Sequence, residues 1–103
     1  MNLDNIPPDL LMARGEYATV RSAHEDEKKR MSVLCGSIAA TAAQILRAAQ
    51  PDNDAAPSME DIDALILAAR GGLEMVERCA QEIVELAAQR VDLKGKAWPR
   101  TPR

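Results

Sequence analysis

The sequence contains no phenylalanine, one tryptophan and one tyrosine among its 103 residues. Aromatic and β-branched residues are the ones that strands favour, so their scarcity argues against a β-rich fold. The chain instead has 18 alanines, and its larger apolar residues recur at three- and four-residue spacing. Because alanine is the best helix former, the composition predicts an all-α protein with small side chains in its core.

Cysteine and histidine are also scarce, which limits the chemistry of the chain. Cys35 and Cys79 have no metal-ligand spacing, so we expect two reduced, buried thiols in a cytoplasmic protein. His24 is the only histidine and is expected to be a partly exposed or hydrogen-bonded residue between helices. The sequence shows no hydrolase, phosphate-loop or zinc-protease motif. We therefore expect no catalytic, metal or cofactor-binding residues and no enzymatic activity.

Long hydrophobic runs are lacking as well. The most apolar stretch, residues 33–49, contains Gln44 and Arg47 and consists largely of alanines and small polar residues. Residues 1–8 have no basic segment followed by an apolar one, as a secretory signal would. The formal net charge of -3 gives no general attraction to nucleic acid or anionic lipid. These features predict a cytoplasmic protein that does not contact a membrane.

The strongest signal is in residues 58–93, which predict one long amphipathic helix. Ser58 is a suitable N-cap, and acidic residues follow it where the helix dipole is positive. Counting heptads from Ile62 gives an apolar seam that only Arg90 interrupts. The a positions are Ile62, Ala69, Val76, Ile83 and Arg90, and the d positions are Leu65, Gly72, Cys79, Leu86 and Leu93.

The apolar stripe of this helix is wider than a two-stranded seam requires. Its e positions are apolar too, namely Ile66, Leu73, Ala80 and Ala87. A stripe of this width is typical of a helix in a bundle, which has more than one neighbour.

A second heptad pattern covers residues 16–49 and is polar in its middle, at His24 and Glu27. Its a positions are Tyr17, His24, Met31, Ile38 and Ile45, and its d positions are Val20, Glu27, Leu34, Thr41 and Ala48. Pro51 must end this helix, and the segment from Pro51 to Pro57 supplies a short turn. A turn of this length between two long helices folds them back on each other.

These patterns predict an all-α antiparallel helical hairpin that pairs into a dimeric four-helix bundle with coiled-coil-like packing. The predicted parts are an arm (1–15), a hairpin (16–94) whose two long helices cover about 16–49 and 59–94 with a turn at 50–58, and a non-helical basic tail (95–103). Before Gly15 we expect either a short turn of helix or one continuous helix that is weakened at Gly15. A monomer with exposed alanine e positions is the alternative to the dimer.

Pairing the helices outward from the turn places Ile38 near Gly71 and Gly72. Two glycines inside a helix cost about 1 kcal/mol each relative to alanine, so we expect a close helix approach there, with a mild kink as the alternative. Trp98 is a large apolar group in the tail. It is expected to dock either near Tyr17 on its own hairpin or on a second subunit.

The sequence favours a small non-enzymatic interaction or adaptor protein that acts as a homodimer and binds a protein partner of unknown identity. The alternative is a nucleic-acid-binding accessory or regulatory factor. The residues expected to form the core and dimer contacts are Ile38, Ile45, Leu65, Val76, Ile83 and Leu86. Those expected to contact a partner are Trp98, Arg100, Lys28, Lys29 and Arg30.

Overall fold

The computed structural model describes residues 6–52 and 55–99. Within these residues the chain forms two helices, α1 (Pro8–Ala49) and α2 (Met59–Ala97), and no strand. The two helices pack against each other, which confirms the predicted all-α helical hairpin. Arg100, for which a partner contact was predicted, lies outside the described residues, as do the other residues of the predicted basic tail from 101 to 103.

Helix α1 begins at Pro8, so the predicted start at about residue 16 is wrong, and the alternative of one continuous helix through Gly15 is confirmed. The Pro7 carbonyl accepts hydrogen bonds from the Leu10 and Leu11 amides at 3.0 and 3.2 Å. Pro8 itself occupies the first helical position, where its fixed φ suits the helix and its missing N–H is not needed. Gly15 is helical and does not interrupt α1.

Helix α2 ends at Ala97, so the predicted stop at Lys94 and Gly95 is also wrong. The Trp98 amide donates to the Lys94 carbonyl at 3.0 Å, which continues the helical pattern past Gly95. Ala97 is completely buried, and this docking of the last turn outweighs the local glycine signal. Pro99 then disfavours helical geometry at Trp98.

The start of α2 is capped as the sequence predicts. The Ser58 hydroxyl accepts a hydrogen bond from the Asp61 amide at 3.3 Å, and the Ser58 carbonyl accepts one from the Ile62 amide at 3.1 Å. Glu60 and Asp61 lie in the first turn. The cap therefore satisfies an amide that the helix itself leaves without a partner.

The hairpin divides into two compact units. Unit 1 combines Met1–Lys28 with Gln81–Arg103, and unit 2 is Lys29–Ala80. Among the described residues, four hydrophobic side chains are buried, with Leu86 and Ala97 in unit 1 and Ile62 and Cys79 in unit 2. The core of each unit is therefore small.

In unit 2 the heptad pattern correctly identifies the side of α1 that faces α2. Every predicted seam residue of α1 in this unit is half-buried, whereas the neighbouring Ser32 and Val33 are exposed. The seam residues are Met31, Leu34, Ile38, Thr41, Ile45 and Ala48. On α2, Leu65 and Val76 are half-buried as well.

The close approach predicted at Ile38 is present at Gly72. A Cβ added to Gly72 would lie 3.0 Å from Cγ1 and 3.4 Å from Cδ1 of Ile38. Nothing lies within 4 Å of the equivalent position on Gly71. Gly72 thus has a packing reason to be glycine, because a side chain there would push Ile38 away.

In unit 1 the seam of α1 continues through Tyr17, Val20, His24 and Glu27, all half-buried. Leu86 of α2 is buried and Ile83 is half-buried. This seam mixes apolar and polar side chains, so its interactions are described residue by residue below.

Candidate interaction surfaces

A polar cluster in unit 1 surrounds Arg90, the residue that interrupts the α2 seam. Arg90 Nη1 donates to Glu25 Oε1 at 2.9 Å and lies 3.1 Å from His24 Nδ1. Since arginine is always a donor, His24 Nδ1 acts as an acceptor in this contact. The Arg90 guanidinium also lies 6.0 Å from the centre of the Tyr17 ring. One side chain therefore joins three residues of α1.

The charges of this cluster favour one another. Two hydrogen bonds lower the pKa of the Glu25 carboxyl below its ordinary value. The one from Arg90 has the larger effect and the one from Lys28 the smaller. The pKa of Arg90 is raised by hydrogen bonding, first to Tyr17 and to a smaller extent to Glu25. Arg90 likewise lowers the pKa of the Tyr17 hydroxyl, with smaller contributions from Lys94 and Arg21. The Arg90–Glu25 pair is partly exposed, so water and salt weaken its contribution to stability.

A second cluster in unit 1 fastens the last turn of α2 to α1. The rings of Trp98 and Tyr17 meet edge to face with centroids 5.2 Å apart. The Arg14 guanidinium lies 5.3 Å from the Trp98 ring centre, and its Nε donates to the Ala97 carbonyl at 3.2 Å. This confirms that Trp98 docks near Tyr17, one of the two predicted positions. Trp98 keeps 48% of its surface exposed, so part of the ring is accessible to a partner.

In unit 1, most basic and most acidic side chains next to the seam lie on opposite sides of it. In an antiparallel helix pair the e positions of both helices flank one edge of the seam and the g positions flank the other. The e positions here carry Arg14, Arg21, Lys28 and Lys94. The g positions carry Asp9, Glu16 and Glu82 together with one basic residue, Lys96, which pairs with Asp92 at 3.1 Å. Unit 1 therefore has a basic side and a mostly acidic side, although the formal net charge of the whole chain is only -3.

Shallow cavities in unit 1 include one of about 640 Å³, whose apolar floor includes Met12, Val20 and Leu93, with Glu16 beside it on the acidic side. A second, of about 440 Å³, lies beside Lys94 and Trp98. A third, of about 240 Å³, lies beside Tyr17, His24 and Arg90. Within residues 6–52 and 55–99, no three histidine, cysteine or acidic side chains are grouped to hold a metal ion.

Unit 2 exposes large apolar side chains in addition to charged ones. Leu46 is 58% exposed and Leu73, an e-position residue, is 55% exposed. Cys35 is exposed too, so the prediction that both cysteines are buried is wrong for Cys35 and correct for Cys79. The prediction relied on the general burial of cysteine, whereas position 35 is an e position of α1 and lies outside the seam.

The residues predicted to contact a partner belong to different parts of the chain, because Trp98 follows α2 whereas the basic residues 28–30 lie in α1. Lys28, Lys29 and Arg30 are exposed, and Lys28 pairs with Glu25 at 3.2 Å. Sequence reasoning missed Arg14 and Arg90, which make the main polar contacts between the helices of unit 1. A charge at an a position was the available signal for Arg90, because a seam arginine requires a partner across the interface.

Helix α1 also satisfies a simple test for membrane-spanning length and composition. It contains an 18-residue window with a mean hydropathy of 1.3, none of which is buried. Helices of soluble assemblies and signal sequences pass the same test, so the expectation that the chain does not contact a membrane stays a prediction.

The comparisons give no relative from which a function could be transferred. No protein-family model, no curated protein and no solved structure matches this chain.

Proposed function

We propose that the hairpin assembles with a second copy into a four-helix bundle and works as a small non-enzymatic adaptor protein. The supporting observation is its shortage of buried surface. A folded monomer of 11.2 kDa is expected to have about 5,700 Å² of accessible surface, whereas this chain has 8077 Å². A second copy is the simplest way to cover the difference, because homo-oligomers most often form through a two-fold axis.

The exposed apolar residues support the same proposal. Large apolar side chains with 44–74% of their surface exposed occur on both helices. Singly exposed apolar residues are normal, but many of them beside only four buried hydrophobic residues in the described part of the chain indicate an incomplete core. The exposed residues are Leu11, Met12, Val33, Leu46, Met59, Leu67, Leu73, Met75, Val84, Val91 and Trp98.

The assembly state is tested by sedimentation equilibrium over a wide range of protein concentration. We expect a species of twice 11.2 kDa that dissociates on dilution, and a melting temperature that rises with concentration. A mass of 11.2 kDa at every concentration, with a constant melting temperature, contradicts the bundle.

The basic and acidic sides of unit 1 support the adaptor role, because a protein partner with complementary charges could bind to them. Co-purification from nuclease-treated lysate is expected to recover a stoichiometric protein. Reversing the basic side with Arg21→Glu and Lys94→Glu should remove that partner, whereas reversing the acidic side with Glu16→Lys and Glu82→Lys serves as the matched control. Recovery that neither pair of substitutions changes contradicts the role proposed for these charges. Cys35 and Cys79 form no disulfide, which suits the reducing cytoplasm in which we place the protein.

The second candidate is a nucleic-acid accessory factor, favoured by Trp98 beside basic residues. The Trp98 ring is half exposed near Arg14 and Lys94. A nucleic-acid base could stack on this ring while a neighbouring phosphate contacts the basic side chains. Retention on single-stranded nucleic acid should then fall steeply with salt, and Trp98→Ala should weaken it. Absence of retention at low salt excludes this candidate.

A further inference from the structure

On one side of unit 2 the positions next to the seam carry no charge. They are the e positions Met59, Ile66, Leu73 and Ala80 on α2 and Cys35, Ala42 and Ala49 on α1. Beside them on α1 lie the uncharged b positions Ser32, Ala39 and Leu46, whereas the b positions of α2, which border this surface, are the charged residues Asp63, Arg70 and Glu77. We call the surface of the ten uncharged residues the e-face.

The opposite side of unit 2 is different. Its g and c positions include Arg30 and Arg47 on α1 and Asp61 and Arg78 on α2. Burying such charges costs free energy unless each one finds a partner. Next to the seam, the uncharged e positions can therefore be covered by another protein at a lower electrostatic cost than the g positions, which include Arg30 and Asp61.

On α1 the e-face is a continuous strip of small or apolar residues at positions b and e of successive heptads. Cys35, Ala39 and Ala42 are exposed, and Leu46 is 58% exposed. Helix α1 thus has two uncharged strips in unit 2, one facing α2 and one facing solvent. A wide uncharged stripe is the pattern expected of a helix that packs on more than one neighbour.

The area to be covered points to a second copy of the chain. The surface of the whole chain exceeds that of a compact monomer by about 2,400 Å². The e-face supplies part of this excess, and obligate homodimers bury about 2,000–5,000 Å² over both copies. A two-fold axis would place an uncharged face against itself without bringing like charges together. Ala39 and Ala42 allow close approach, while Leu46, Met59 and Leu73 supply apolar bulk.

From these observations we propose that the e-face is the surface through which two copies of this chain pair. The inference rests on the proposed bundle and adds which side of the hairpin forms it. It predicts that residues on the e-face control dimerisation and that residues on the opposite side of the same helix do not.

The test compares Ala42→Glu with Ala40→Glu. Both alanines are exposed on α1, and both substitutions add the same charge, but only Ala42 belongs to the e-face. Ala42→Glu should raise the dimer dissociation constant at least about 100-fold, because two carboxylates would be buried without partners. Ala40→Glu should leave it within about threefold of the wild-type value, as surface substitutions usually do. Circular dichroism checks that both variants keep their helices.

A measurement on the unmodified chain keeps the proposal testable even if Ala42→Glu does not fold. Alkylation of Cys35 should slow at least about tenfold between dilute and concentrated protein, because dimerisation would cover the e-face. Cys79 is 4% exposed and should react slowly at both concentrations, so it serves as the internal control.

Each outcome separates the two proposals. A wild-type chain that stays monomeric overturns the bundle and this inference together. If such a monomer also floats with neutral phospholipid vesicles, the e-face is a lipid contact. A wild-type dimer that tolerates Ala42→Glu, or that Ala40→Glu disrupts equally, leaves the bundle in place and overturns only the e-face.

Discussion

Units 1 and 2 join the same pair of helices with different kinds of side chain. In unit 1, Arg90 and Arg14 reach across to α1 through directional hydrogen bonds, and Trp98 meets Tyr17 edge to face. In unit 2, the helices approach where Gly72 leaves space for Ile38. Polar contacts specify which residues must meet, whereas close packing of small residues depends on volume. Different kinds of substitution should therefore destabilise the two units: loss of a polar or aromatic partner in unit 1, and a change of side-chain volume in unit 2.

The largest expected effect is in unit 2 and tests whether volume controls its packing. Gly72→Leu should lower the free energy of unfolding by about 2–3 kcal/mol, because the added side chain would overlap Ile38. Chemical denaturation measures the change at fixed protein concentration. Gly71→Leu is the matched control, since open space surrounds that position and leucine favours helix more than glycine does.

A second substitution makes the same test sharper. Ile38→Ala should recover part of the stability lost in Gly72→Leu, because the removed and added side chains occupy the same space. If the two effects simply add, the contact between positions 38 and 72 is not what limits unit 2.

An intermediate effect is expected in unit 1, where Trp98→Ala removes the edge-to-face contact with Tyr17 and the contact with Arg14. We expect a loss of about 1–2 kcal/mol, together with faster amide exchange in the last turn of α2. Hydrogen exchange read by mass spectrometry locates the change. Val84→Ala, at a 69% exposed position of the same helix, should leave exchange near residue 97 unaltered. Equal effects of the two substitutions contradict the role assigned to Trp98.

The smallest expected effect is the pH dependence that Glu25 gives to unit 1. Its pKa is lowered in the folded chain from the ordinary 4.5, so the ionised carboxyl stabilises the fold above that value. This contribution should disappear as the pH falls below 4.5 and through the folded-state pKa. Glu25→Gln should make the acid side of the stability curve shallower, and Asp26→Asn controls for the change in net charge. A carboxyl titration by NMR at or above 4.5 contradicts the pairing with Arg90.

Sequence periodicity predicted the pairing of the helices better than it predicted their ends. The heptad count placed Ile38 opposite Gly72 because helix geometry fixes which residues share a face. Gly15 and Gly95 suggested helix ends, but contacts between distant parts of the chain stabilise both terminal segments as helix. Such contacts depend on tertiary structure, which local signals do not contain.

The polar contacts were beyond sequence reasoning for a related reason. Arg90 could be identified as an unusual seam residue, but its partners Glu25 and His24 follow only from the register and from the length of the arginine side chain. Cys35 shows the converse error, since its heptad position correctly indicates exposure while its residue type suggests burial. Position in the repeat was the better guide for this residue.

The contact between Tyr17 and Trp98 gives the chain a built-in optical reporter. These are its only tyrosine and its only tryptophan, and their rings lie 5.2 Å apart. Light absorbed by the phenol can therefore be emitted by the indole, and the nearby Arg14 charge makes that emission sensitive to local rearrangement. Fluorescence of the unlabelled protein should therefore report on one contact, the packing of the end of α2 against the first turns of α1.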